Sequence, residues 1–218
     1  MNRSLGHLAA MLVVVSTVTG CVSNPINAYT GSRYYDYGLQ AEQAGDLALA
    51  RQNFYRAYVN AQMGYLGPAA EASCLYEWSL VTGYLGRVAD AEKGFNDVLE
   101  LIGKANGKAD RLLPPTLSEL ARLLHDTNQH TKAVSVYERA LAALEKTTVA
   151  KDDPIAFATF LDDYSDSLRV AGFVERADEV SQRASAIRKE NKGLTARFVA
   201  RRYKAEPVDP GNGTAPQH

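Results

Sequence analysis

The chain has 218 residues, 46% hydrophobic and 22% charged, which is an ordinary globular composition with enough length for one domain and a real core. Its formal net charge of −1 argues against nucleic acid as a partner, since nucleic-acid binders are normally strongly basic. Its two cysteines, Cys21 and Cys74, leave no room for a disulfide framework.

The chain starts with the three parts of a secretory signal. Arg3 is the positive region, Leu8 to Val18 the apolar run, and small residues follow. The run is too short to span a bilayer as a helix, and Ser16, Thr17 and Thr19 thin it further. An ordinary soluble secretory signal is the closer rival. The stretch Val18-Thr19-Gly20-Cys21 resembles the lipobox of bacterial lipoproteins. That resemblance implies that residues 1–20 are removed and that Cys21 carries a diacylglyceryl thioether and an amide-linked acyl chain. Two or more chains anchor a protein stably, where one does so marginally. With Val22 in place of an aspartate, the lipoprotein pattern further implies the outer membrane, with the protein facing the periplasm. Residues 21–31 contain Asn24-Pro25 and no apolar periodicity, so they read as a lipidated tether. The stretch from Val22 to Thr30 reaches at most about 30 Å. With Cys21 taken by lipid, Cys74 has no disulfide partner and reads as a small core residue.

The body, 32–204, is a repeat. A turn residue is followed by an alanine, an aromatic and a second small residue at fixed offsets: Gly45, Ala50, Phe54, Ala57; Gly86, Ala91, Phe95, Val98; Asn128, Ala133, Tyr137, Ala140; and Gly172, Ala177, Ser181, Ala184. The alanines recur about every 42 residues. The turn residue reverses the chain between two antiparallel helices, alanine permits close approach, and the aromatic fills the space between hairpins. The pattern resembles the tetratricopeptide repeat, in a longer variant like that of kinesin light chains. The resemblance implies an all-α, right-handed solenoid of about four helical hairpins. Asn128-Gln129-His130 makes the third turn the least certain, and Ser181 marks the fourth repeat as degenerate. Pro68, Pro114-Pro115 and Pro154 stand where first helices of hairpins begin, a place that tolerates proline. Asp152-Asp153 reads as an N-cap before Pro154. A capping helix is expected at Leu194–Tyr203, because terminal repeats need a polar cap. The basic residues Arg188, Lys189, Lys192, Arg197, Arg201, Arg202 and Lys204 suit either anionic lipid headgroups or a solvated face. Residues 205–218, rich in proline and glycine, read as a disordered tail.

Motifs of catalysis are missing: there is no phosphate-binding loop, no H-E-x-x-H, no G-x-S-x-G and no C-x-x-C. His125 and His130 are five apart, off a shared helical face, and a turn is expected between them. No catalytic residue, metal, cofactor or small-molecule substrate is expected. A helical solenoid does offer a concave surface lined by the first helix of each hairpin. Alignment on the alanines assigns its lining to Tyr35, Leu39, Glu42 and Gln43, then Tyr76, Leu80 and Tyr84. Ser118, Arg122, His125 and Asp126 follow, then Asp162, Asp166 and Arg169. Trp78 reads as packing.

These observations point to a periplasm-facing adaptor, anchored in the outer membrane through its lipid, that holds a protein or extended peptide in the groove. The rival is a regulator of a cell-envelope (peptidoglycan) enzyme that acts through a surface outside the groove.

Overall fold

The structure, a computed structural model, describes residues 24–203. The expected signal sequence 1–20, Cys21 and the expected tail 205–218 lie outside the described residues. Within them, α1 (Pro25–Gln43) pairs with α2 (Leu47–Met63) and α3 (Pro68–Tyr84) with α4 (Val88–Lys104). In the same way α5 (Leu113–Asp126) pairs with α6 (His130–Leu144), and α8 (Pro154–Val170) with α9 (Val174–Glu190). A single turn, α7 (Val149–Asp152), leads into α8. The second helix of each hairpin packs on the first helix of the next: α2 on α3, α4 on α5, α6 on α8. The result is a right-handed, all-α solenoid, with no strand among the described residues.

One turn builds all four hairpins. Gly45, Gly86, Asn128 and Gly172 have φ of 79°, 78°, 60° and 89°. In the first turn the Asp46 amide donates to the Ala41 carbonyl at 2.9 Å, and the Gly45 amide to Glu42 at 2.9 Å. The same pair of bonds recurs in the third, from Gln129 to Leu124 at 2.8 Å and from Asn128 to His125 at 3.0 Å. This is the Schellman arrangement, which satisfies carbonyls the helix end would orphan. The third turn therefore does not differ from the others, because asparagine tolerates the left-handed region.

The repeat positions form the core. Ala50, Ala91, Ala133 and Ala177 are fully buried, as are Phe54 and Phe95, and Tyr137 nearly so. Phe54 lies against Gly38, where a Cβ would stand 2.5 Å from the ring. Trp78 is half-buried between the first two hairpins, with Arg51 over its ring at 5.1 Å. Pro68 and Pro154 open their helices, and Pro114 is the second residue of α5. Asp153 caps α8 by accepting from the Ala156 amide at 3.1 Å.

Two expectations are corrected. The described part of the tether is largely helix: Asn24 caps α1 by accepting from the Ile26 amide at 3.0 Å, and Pro25 opens the helix. Asn-Pro here is a cap followed by a first helical residue. The helix start is fixed in place by Gly31, which packs against Asn60, and by the Asn24 amide, which donates to Gly64 at 2.9 Å. The second correction is at the other end, where Leu194–Tyr203 is not helical. Gly193, at φ 85°, turns the chain out of the helical region. A helix of ten residues without a docking face is marginal by itself. Capping falls instead to α9, whose buried residues are Ala177 and Ala184 and whose outer face is polar.

The turn chemistry is testable. A Cβ added at Gly172 would meet nothing within 4 Å, so Gly172→Ala incurs only the backbone penalty of positive φ. It should lower unfolding stability by about 1 kcal/mol, while Asn128→Gly changes it by less than ~0.5 kcal/mol, both read by urea denaturation.

Candidate binding groove

The first helices α1, α3, α5 and α8 line the concave side, and residues 194–203 cross it as an extended strap. The strap is held first at the start of α8, where the amides of Arg197 and Phe198 donate to Asp153 Oδ2 at 3.0 and 2.9 Å. The Arg197 guanidinium also donates to the Asp152 carbonyl. Farther along, Arg202 makes a two-pronged contact with Asp163, at 2.5 and 2.9 Å, and its Nε lies 3.3 Å from Asp126. Tyr203 ends the strap. Its amide donates to Asp126 at 2.8 Å, and its hydroxyl donates to Glu119 Oε2 at 2.7 Å. Its ring stacks on Tyr84 with centroids 5.0 Å apart. The other edge of the ring meets Gly83, where a Cβ would stand 2.6 Å away. Only 3% of Tyr203 is exposed.

Several residues assigned to the lining meet at this point. Tyr84 contacts both Tyr203 and Arg201, whose guanidinium lies 4.8 Å from the ring centre. Arg122 is buried and committed to Glu119 at 2.6 Å, so it is not an open recognition group. Asp126 holds the strap. Burial pushes its carboxyl up, and the Tyr203 amide and Arg202 pull it back. Glu42 is likewise pushed up by burial and countered by Arg201. Leu39 and Leu80 are half-buried against the core, Tyr76 meets Phe95 edge-on at 6.2 Å, and Gln43 is exposed. Ser118 donates to the Pro114 carbonyl at 2.9 Å.

Two lining assignments are corrected. Asp162 and Arg169 are taken up by α9, Asp162 by Arg188 and Arg169 by Asp178 at 2.8 Å. Asp166 is exposed and stays out of the cluster. The alignment passed over the neighbouring register, which holds the carboxylates that act. Asp36, Glu77, Glu119 and Asp163 occupy the same position in successive repeats, directly after Tyr35, Tyr76, Ser118 and Asp162. An acidic residue at one place in every repeat was the available signal. Two of the basic C-terminal residues bind the chain's own acids, Arg188 on Asp162 and Arg202 on Asp163, while Lys189, Lys192 and Arg201 are exposed. Lys204 lies outside the described residues.

The two histidines lie on different helices with the third turn between them, as expected, and the turn brings their rings together. Their rings are 5.3 Å apart, and Nδ1 of each approaches Ser167 Oγ, at 2.9 and 3.5 Å. Burial, then His125, lowers the His130 pKa, which keeps it neutral near pH 7. Ser167 is fully buried and Asp163 is 4.0 Å from His125, so the hydroxyl lacks access and the imidazole lacks a carboxylate hydrogen bond to orient it as a base. Among the described residues no three His, Cys, Asp or Glu side chains group as metal ligands. Burial pushes the Cys74 thiol up to about 12, which keeps it protonated and unreactive.

Two recesses stay open, the second of them beside the strap. One, of about 520 Å³ between α1 and α3, is lined by Gly31, Tyr35, Ala57, Ala61, Cys74 and Glu77 among others. Tyr35 packs edge-on against Phe54 at 5.6 Å and donates its hydroxyl to Glu77 at 3.1 Å. Burial raises the Glu77 carboxyl to about 7, although the Tyr35 bond works against that. The other recess, of about 410 Å³, is walled by Tyr76, Pro114, Phe157, Phe160 and Phe198.

Two outcomes follow. With its folded pKa near 7, Glu77 binds more protons folded than unfolded, so its contribution is present below about pH 4.5 and lost as pH rises through 7. Glu77→Gln should therefore flatten the fall in stability between pH 5 and 8 by about 2 kcal/mol, measured by thermal melts. Arg122→Met leaves Glu119 buried without its cation and should cost ~3 kcal/mol or more in denaturant titration.

Residues 71–146, the second and third hairpins, match the tetratricopeptide repeat family model. No curated protein sequence matches the chain. Among solved structures, it is similar to BtubC (BKLC) from P. vanneervenii at 18% identity, over 84% of this chain and 72% of that one, with a TM-score of 0.66. It is also similar to a Podosopora anserina putative kinesin light chain with nearly identical TPR-like repeats, at 16% identity, over 78% and 84% of the two chains, with a TM-score of 0.57. At these identities the likeness is one of fold. The chain is a tetratricopeptide-like solenoid, with the repeat family matched over its two central hairpins.

Proposed function

We propose that the protein is a non-catalytic adaptor that docks an extended segment of a partner protein in its concave groove and holds that partner at a membrane. Tetratricopeptide repeats generally serve as protein-interaction scaffolds. The observation that carries the reading is the strap: the groove accommodates an extended segment through backbone, arginine and tyrosine contacts, and an aromatic-lined recess stays open beside it. The membrane half of the proposal rests on Cys21 and its lipobox-like context, with the periplasmic face of an outer membrane as the location. Only Val22 and Ser23 separate Cys21 from the α1 cap, so a lipidated chain would carry its first hairpin close to the bilayer. No described helix is long and apolar enough to cross a membrane.

A second reading, regulation of a cell-envelope enzyme from outside the groove, is favoured by one feature. The outer face of α1 exposes Ile26, Tyr29 and Tyr37 around Arg33, away from the concave side.

In-cell crosslinking with partner identification separates the two. Tyr35→Ala with Tyr76→Ala should abolish capture of the groove partner, whereas Tyr29→Ala with Tyr37→Ala should not. The opposite pattern would replace the groove by the α1 face. Radiolabelled palmitate should enter the native protein and not Cys21→Ser; absence of label on the native protein would end the anchoring claim.

A further inference from the structure

Residues 197–203 fit the groove as a ligand does at one end and poorly at the other. Tyr203 and Arg202 meet a shaped site. The ring occupies space that exists because residue 83 is glycine, its hydroxyl reaches Glu119, and Arg202 pairs with Asp163 and Asp126. Upstream the fit fails. Phe198 is 60% exposed at the rim of the 410 Å³ recess that it helps to line, and Val199 is 81% exposed. Between Phe198 and Arg202, the strap's apolar side chains leave the recess unfilled, beside a wall that includes the buried rings of Phe157 and Phe160. A segment evolved only as a structural seal would fill that recess. A stand-in would match the polar anchor and leave the apolar contact for a better occupant.

We propose that the C-terminal strap is a ligand held in cis, and that the groove takes in exchange an extended partner segment carrying an Arg–Tyr pair preceded by an aromatic residue. The arginine replaces Arg202 on Asp163 and Asp126, the tyrosine replaces Tyr203 between Gly83 and Tyr84, and the aromatic enters the recess that Phe198 leaves unfilled. Charge complementarity selects the partner: Glu119, Asp126 and Asp163 converge, and the wall's Arg122 is already committed to Glu119. This rests on the peptide-docking reading above and adds the chemistry of the docked segment and its regulation, since a free partner must outcompete a tethered one.

The test uses the full chain and a labelled peptide with the sequence of residues 196–204. Arg202→Ala with Tyr203→Ala vacates the site while leaving the groove walls native. The peptide should bind this variant at least ~10-fold more tightly than it binds the native chain. A peptide with alanine for both Arg and Tyr should not bind, and adding Asp163→Asn should weaken binding ~10-fold. Equal binding to native and vacated chains, or none to a vacated chain that melts cooperatively, overturns the proposal. If the vacated chain does not fold, the native chain decides. Excess peptide should then speed hydrogen exchange at residues 198–203 in proportion to its concentration, and unchanged exchange overturns the idea. So does a native dimer in sedimentation that exchanges straps, because the occupant is then a second copy. Failure on any of these counts leaves the crosslinking result at Tyr35 and Tyr76 untouched, so the broader groove reading stands or falls separately.

Discussion

Stacking α5 and α8 side by side brings Glu119, Asp126 and Asp163 together in a partly desolvated groove, and three carboxylates cannot stay there unneutralised. Removing a charge from water costs several kcal/mol unless cations and donors replace the lost solvation. Arg122 answers for Glu119 from within α5. The remaining demand is met from outside the repeats, by Arg202 and by the amide and hydroxyl of Tyr203. The path of the C-terminal segment follows from this: it leaves the helical region at Gly193 and runs extended to the one place where its arginine and tyrosine are needed. Whatever enters this half of the groove must bring a cation, or leave the acids exposed to their mutual repulsion.

The same acids tie function to the repeat. A carboxylate recurs at one register position in each hairpin, and in the last three, at Glu77, Glu119 and Asp163, it sits in the groove. The three differ because their surroundings differ. Glu119 and Asp163 have arginine partners, while Glu77 has a tyrosine and little solvent and is pushed up to about 7. The groove thus changes character along its length, from an apolar recess with an acid pushed up by burial to a charged site already occupied.

The solenoid was legible in the sequence because its signals are local. A turn residue, an alanine and an aromatic at fixed offsets each have one structural cause, and the left-handed turn at Asn128 shows that the pattern holds even where glycine is replaced. The ends were less legible. Asn24-Pro25 signals a linker or a cap with equal force, and contacts with Asn60 and Gly64 decide between them. Leu194–Tyr203 carries helical spacing, but its partners lie as far back as Glu119 and Tyr84, and no local rule reports contacts at that separation. In the groove, alignment on the alanines named Tyr84, Arg122, His125 and Asp126 and passed over Glu119 and Asp163, each one residue after the assigned Ser118 and Asp162.

The account's central claim is that Tyr203 sits in the groove of its own chain. The most direct measurement is the proton nuclear Overhauser effect between the Tyr203 ring and the Gly83 α-protons in the full-length protein. A strong cross-peak, with Tyr203 ring shifts displaced by the stacked Tyr84, is the predicted result. Absence of the cross-peak with random-coil Tyr203 shifts would place the segment in solvent and contradict the claim.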